Sequence, residues 1–258
     1  MWTFCNNIYS SRLFPDASHF RSPEVMCESM EASGAELALI NVSSNENVSA
    51  NLDTFASTLI DSGLDILPIT HGCQTAADAI NLADRVKSKY ETEWIVLQII
   101  GDEATGYPDH TALIEATREL IKLKFKVIPS IAPDPTTAGR LMDAGAAALF
   151  LGTNDPANAG MIHHPLLRTI RTRFPKFPLV LNAAVRRPSE AALAMELGFD
   201  AVAITHAIAK SRDPISMAEA FADAVVAGRL AYEAGIESHG APARAGDPAT
   251  PFWHIADE

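Results

Sequence analysis

Short apolar runs alternate along the chain with longer segments in which apolar residues recur every three or four positions. Side chains alternate faces on a strand and return to one face after about 3.6 residues on a helix, so the two patterns predict strands and amphipathic helices respectively. The strand candidates are SRLF (11–14), ELALIN (36–41), DILPIT (65–70), WIVLQII (94–100), KVIPSI (126–131), AALFLG (147–152), PLVLNA (178–183) and AVAITH (201–206). Within the fourth, alternation sends Trp94, Val96 and Gln98 to one face and Ile95, Leu97 and Ile99 to the other.

The helices between these runs carry start and stop signals. Ser22-Pro23-Glu24, Asp134-Pro135 and Asp213-Pro214 each place a capping side chain before proline at the first helical position, while Gly145 and Gly198 follow two helical patterns. Asp134 and Asp213 are therefore expected to be caps rather than catalytic acids. Strand and helix repeated through one chain without a linker predict a closed (β/α)8 TIM barrel, α/β in class, as a single domain over residues 1–235. No GxGxxG or GxxxxGK[ST] favours an open nucleotide-binding sheet. The last helix, 214–235, ends at Gly235, and the aperiodic residues 236–258 are expected to form a flexible tail, with Phe252-Trp253 the one pair suited to docking.

Composition narrows the partners. With 258 residues, 48% hydrophobic and 20% charged, the chain can bury a large core. A net charge of −12 lacks the basic footprint that nucleic acid or an anionic membrane requires. The start MWTFCNNIYSSRLF has no basic-then-apolar leader, and no apolar run is long enough to span a bilayer, so a cytoplasmic protein is expected. Cys5, Cys27 and Cys73 show no metal or CxxC spacing and read as reduced thiols. His163-His164 are adjacent and would diverge, so neither a metal site nor a cofactor is predicted.

In a barrel of this kind chemistry gathers at the C-terminal ends of the strands. Those ends deliver Thr70-His71, Val96 and Gln98, Thr153-Asn154-Asp155, Asn182, and Thr205-His206. Imidazoles titrate near neutrality whereas amides only donate or accept hydrogen bonds, so His71 and His206 are the acid–base candidates. Val96, Gln98, Asn154, Asp155, Asn182 and Thr205 are the ligand-binding candidates. Arg186, in the loop after the seventh strand, is placed to meet a phosphate. Lys126 begins the fifth strand, at the other end of such a barrel, and Lys210 follows the eighth; both read as surface charges.

From about residue 11 to 235 the chain resembles bacterial thiazole synthase. The resemblance is carried by SRLF, SPEVM with EASGAE, GCQTAADA, WIVLQIIGD, DPTTAGRLMDAGAAA, PSEAALAMELGFDAV and AIAKSRDPISMAEAFADAVVAGRLAYEAG. It implies a homo-oligomeric (β/α)8 barrel that joins a deoxyxylulose phosphate, a glycine-derived imine and sulfur from a small ubiquitin-like carrier protein. It also implies a lysine that forms an imine with the sugar ketone, assisted by a glutamate and an aspartate.

By that correspondence the lysine falls on Val96, the glutamate on Gln98 and the aspartate on Asn182. Valine has no lone pair with which to attack a carbonyl, and neither amide is a general base. The three changes are coupled, because a carboxylate left in a barrel interior without its ammonium would be an uncompensated buried charge. Further departures follow: the glycine-rich stretch after the first strand becomes PDASH, with His19 in place of a lysine. Two arginines after the second strand become Ser43-Ser44, an asparagine and an alanine after the third become Ile69 and His71, and glycines after the seventh fall on Ala184 and Arg186. After the sixth strand only Gly152 and Gly160 remain of the glycines, in a loop one residue longer.

Two main readings follow, beside a third in which another lysine, Lys126 or Lys210, has taken over the imine, and ordinary thiazole synthase activity is none of them. In the first, the barrel serves sulfur-incorporating biosynthesis and binds a small sugar-phosphate-like ligand without a lysine imine. In the second it is a non-catalytic scaffold or regulator for a sulfur-carrier protein or a family enzyme.

Overall fold

The computed structural model describes residues 1–43, 46–152, 165–182 and 185–235, with backbone only for 46–52. An N-terminal hairpin of β1 (Trp2–Phe4) and β2 (Asn7–Tyr9) precedes the first barrel strand, β3 (Leu13–Pro15). Units then follow as α1 (Pro23–Ser33), β4 (Leu37–Val42), α2 (Glu46–Asp61), β5 (Asp65–Thr70), α3 (Ala76–Tyr90) and β6 (Trp94–Leu97). A small hairpin, β7 (Ile100–Asp102) with β8 (Tyr107–Pro108), is inserted before α4 (His110–Lys122). The remainder is β9 (Lys126–Ile131), α5 (Pro135–Asp143), β10 (Leu149–Leu151), α6 (Pro165–Arg173), β11 (Leu179–Leu181), α7 (Pro188–Glu196), β12 (Ala201–Ile204) and α8 (Pro214–Glu233).

Eight strands pair in the order β3-β12-β11-β10-β9-β6-β5-β4, and every pair is parallel. A single parallel bridge from Asp16 to Leu39 joins the two ends of that order and closes the barrel. The expected (β/α)8 barrel is the observed fold, and each strand candidate overlaps a barrel strand, with ends that differ by at most a few residues.

Strand alternation sorts the apolar residues into two cores. Ile95, Leu97, Val127, Leu149, Leu151, Leu179, Leu181, Val202 and Ile204 point outward and pack under the helices. Leu37, Leu39, Leu67, Trp94, Val96, Ile128, Phe150 and Val180 point inward with Ala201 and Ala203, filling the barrel axis as a solid core. Strands buried on both faces must be apolar at nearly every position, which is why the sequence shows runs rather than clean alternation.

The β1–β2 hairpin, absent from the sequence expectations, plugs the N-terminal end of the barrel. Its Phe4 ring sits 5.2 Å from Phe14 and 6.2 Å from Trp94, and Tyr9 donates to Asp65 Oδ2 at 2.5 Å. The turn requires left-handed backbone at Cys5 (φ 46°) and Asn6 (φ 76°), a geometry tight hairpins use because its twist matches that of the strands. Lys126 reaches down to donate to the Cys5 carbonyl at 3.1 Å, at the opposite end from the strand C-termini, as expected.

The helix caps form as expected. Ser22, Asp134 and Asp213 side chains accept from Val25, from Thr136 and Thr137, and from Ser216, and Gly145 and Gly198 take positive φ after their helices. At Gly228 on α8 a Cβ would overlap the Ala192 carbonyl of α7, so the missing side chain sets how closely these helices approach.

Candidate active site at the barrel mouth

The mouth is built from residues that follow the last ladder bonds of the strands. The fourth run was expected to be strand through residue 100, but β6 stops at Leu97. The reason is Thr70, a fully buried hydroxyl at the end of β5. Its Oγ1 donates to the Gln98 carbonyl at 2.9 Å and accepts the Gln98 amide at 2.8 Å, diverting both groups from the sheet. Ile100 then donates to the Cys73 carbonyl and enters the β7–β8 hairpin.

Val96 is fully buried in the interior core, opposite Ile69 and Ile128 on its neighbouring strands. Gln98 is 7% exposed. Asn182 follows β11, donates its backbone amide to Leu151 at 2.9 Å and accepts from the Thr205 hydroxyl at 3.4 Å. Asn154 and Asp155 lie outside the described residues.

The histidines converge. His206 and His19 stand edge to face with ring centroids 4.1 Å apart, and the charges of both His71 and Lys210 act on each of them. Arg186 is exposed at the rim, where its charge acts on His206 and its backbone amide donates to Glu190 Oε2 at 2.7 Å. Lys210 is exposed too, with its amide donating to the His206 carbonyl at 2.9 Å. The structure brings His71, His206, Asn182, Thr205, Gln98 and Arg186 to one end of the barrel.

One residue at the centre escaped the sequence reading. Asp16, only 2% exposed, turns the chain from β3 into a one-turn 3-10 helix (Ala17–His19). Its Oδ1 accepts from the Ser18 amide at 2.8 Å, its Oδ2 accepts from Asn41 Nδ2 at 2.9 Å, and His19 Nε2 lies 3.8 Å from Oδ2. The available signal was the string Asp-Ala-Ser-His directly after an apolar run, which couples an Asx cap to an imidazole three residues on.

The environment pulls these groups away from their ordinary values. Burial pushes the Asp16 carboxyl up to about 6, against the opposing hydrogen bonds from Ser18 and Asn41 and the charge of His71. His206 lies at the solvent edge, yet partial burial pushes it down to about 4, followed by the positive charges of His19, Lys210, Arg186 and His71. His19 is lowered by burial, then by Lys210 and His71. At neutral pH His206 is thus a neutral imidazole that can accept a proton but has none to spare as an acid. In a chain of net charge −12, this end of the barrel gathers cations.

Among the described residues no set of three or more His, Cys, Asp or Glu side chains is arranged to hold a metal, and no helix is long and apolar enough to cross a membrane. A concavity lined by Met1, Arg12, Ser33, Val226, Arg229 and Glu233 lies at the opposite end, between α1 and α8, away from these groups.

Fold and site together define a (β/α)8 barrel with a polar acid–base cluster at its C-terminal mouth. The family model described as thiazole biosynthesis protein ThiG matches residues 3–248, and the chain belongs to that family. The thiazole synthase of Rhodopseudomonas palustris (strain BisB18) is 38% identical over 257 residues, covering 98% of this chain and 99% of that protein. That of Neisseria meningitidis (strain MC58) is 38% identical over 267 residues, covering both chains in full. Among solved structures, the BexX/CysO complex of Amycolatopsis orientalis matches with a TM-score of 0.77 at 26% identity, covering 93% of this chain and 98% of the other. Thiamine phosphate pyrophosphorylase of Pyrococcus furiosus, at a TM-score of 0.59 and 15% identity, shares the fold.

Proposed function

We propose that this protein is a thiazole-synthase-like barrel serving sulfur-incorporating biosynthesis, which binds a small phosphorylated ligand at its mouth without forming a lysine imine. The observation that carries the reading is the position of Val96. Its side chain is wholly enclosed in the barrel interior beneath Gln98, at the position that corresponds by sequence blocks to the family's imine-forming lysine. An isopropyl group there offers no electron pair to a ketone.

Gln98 and Asn182 present carboxamides where the family has carboxylates, suited to hydrogen-bond an oxygenated ligand but not to take its protons. His71 and His206 are the acid–base candidates of this reading, with His206 confined at neutral pH to the role of base. Lys210 and Arg186 supply the positive rim that an anionic group requires, and Thr205 completes the assigned contacts, with Asn154 and Asp155 named from the sequence alone.

Borohydride trapping with deoxyxylulose phosphate tests the proposal. The expected result is calorimetric binding of the sugar phosphate, weakened in Arg186→Ala, with no reduced adduct. An adduct mapped to Lys210, the exposed amine at the rim, would overturn it.

A second reading, a non-catalytic scaffold for a ubiquitin-like sulfur carrier, is favoured by the likeness to the BexX/CysO complex. Tight binding of a carrier protein without binding of deoxyxylulose phosphate supports that reading; the reverse result excludes it. Assembly as a homo-oligomer belongs to either reading and is read by light scattering.

A further inference from the structure

We propose that Asp16 and His19 form a proton-transfer pair at the mouth, with Asp16 a positioning residue and His19 the group that exchanges protons with the bound ligand. The pair would supply, from the end of the first barrel strand, the acid–base function that Gln98 and Asn182 cannot.

A cap alone does not explain Asp16. Capping the 3-10 turn uses only Oδ1, through Ser18, and a serine or asparagine would serve without an ionisable group. A carboxylate buried to 2% exposure is costly, and among the described residues His19 is the one side chain within ion-pair reach of it that becomes a cation on taking up a proton. Asn41 donates to Oδ2 and fixes the carboxyl plane from β4, while the Asn41 amide donates to Ser18 Oγ at 2.8 Å and locks the turn. The carboxyl group is therefore held immobile with the same oxygen turned toward His19 Nε2 at 3.8 Å, a separation that ligand binding can tighten.

Once that separation closes to a hydrogen bond, the carboxylate selects a tautomer. With the proton on Nε2 facing Asp16, the lone pair sits on Nδ1, the ring nitrogen away from the carboxylate. In the forward step a C–H or O–H bond of the ligand breaks, its electron pair stays on the ligand, and the proton passes to Nδ1. The resulting imidazolium is stabilised by the Asp16 carboxylate, and the reverse step returns the proton to the ligand. The neighbours act in concert: Lys210 and His71 on His19, and His71 on Asp16. They keep His19 neutral and ready to accept, while the carboxyl group, pushed up to about 6, is still ionised above neutrality.

The ligand class, a small anion with an acidic proton such as a ketose phosphate, rests on the function proposed above. The pairing itself does not, and the two can fail separately. Nitrogen-15 NMR of histidine-labelled full-length protein, with His19 assigned from His19→Gln, reads the pairing directly. The expected result at mildly alkaline pH is a protonated Nε2 and a bare Nδ1 on His19. In Asp16→Asn that bias should be lost and the His19 pKa should fall by about 1–2 units. A bare Nε2 in the wild-type protein, which needs no variant to fold, overturns the proposal, as does an unchanged His19 in Asp16→Asn.

Solvent deuterium exchange into deoxyxylulose phosphate reads the transfer. Exchange by the wild type that falls about a hundredfold in His19→Gln and in Asp16→Asn supports the pair. Exchange that survives His19→Gln overturns it. No exchange even by the wild type counts against the ketose phosphate, and the NMR result then decides the pairing.

Discussion

The Thr70 hydroxyl bridges both backbone polar groups of Gln98, donating to its carbonyl at 2.9 Å and accepting its amide at 2.8 Å. One buried side chain thereby ends β6, launches the β7–β8 hairpin and fixes the base from which the Gln98 carboxamide projects. Thr70→Val keeps the shape but strands a buried donor and a buried acceptor, at a cost of about 2–4 kcal/mol. The midpoint of urea unfolding should fall accordingly, and Thr70→Ser, which retains the hydroxyl, should restore most of it.

Asp16 gives stability a definite pH dependence. Its carboxyl is raised from 3.8 to about 6 in the folded protein, so the native state holds a proton that the unfolded chain has already released between those values. The penalty is absent at lower pH, where both states are protonated. It grows as pH rises through the unfolded value and is complete above the folded one. Asp16→Asn should therefore gain on the wild type by about 2–3 kcal/mol between acidic and neutral pH, as measured by denaturation at several pH values. A variant that is more stable yet less able to exchange protons is the signature of a group kept for function.

Position 96 makes a chemical prediction. A lysine placed among Ile69, Ile128 and Phe150 enters an apolar core of the described residues, so Val96→Lys should destabilise the fold and carry a strongly depressed amine pKa. Adding Gln98→Glu and Asn182→Asp should recover part of the stability. The triple variant should also give a borohydride adduct with deoxyxylulose phosphate that the wild type lacks, detectable by mass spectrometry. Absence of the adduct in a folded triple variant would show that the correspondence of these positions is not sufficient for the imine.

Away from the mouth, Arg171 on α6 ties several elements together. It is almost buried, donates to Asp200 Oδ2 at 2.8 Å, to the Gly198 carbonyl at 3.2 Å and to the Phe177 carbonyl at 2.9 Å, and also meets the Phe174 carbonyl. Asp200 in turn accepts the Leu179 amide at the start of β11. Arg171→Met should cost about 3–5 kcal/mol, because it leaves a carboxylate and three carbonyls without their donor. Arg171→Lys should recover little, since one ammonium cannot match the planar fork. Calorimetric melting of both variants checks the order.

What could be read from the sequence was whatever depends on local periodicity and neighbouring residues. The strand runs, the Asp134 and Asp213 caps, the glycine stops and the polar strand ends are all written within a few residues of one another, and the structure reproduces them. The side of the barrel that Val96 faces also followed, because alternation along a strand has a fixed period. Tertiary structure alone decided the rest. Nothing near residue 98 in the chain reveals that Thr70 takes its backbone, 28 residues away. Nor does the string Asp-Ala-Ser-His reveal that Asn41 and His206 converge on it from different strands, since barrel closure brings the first strand between the second and the eighth. The burial that changes a carboxyl group's proton affinity is a property of that closed assembly, and no stretch of sequence carries it by itself.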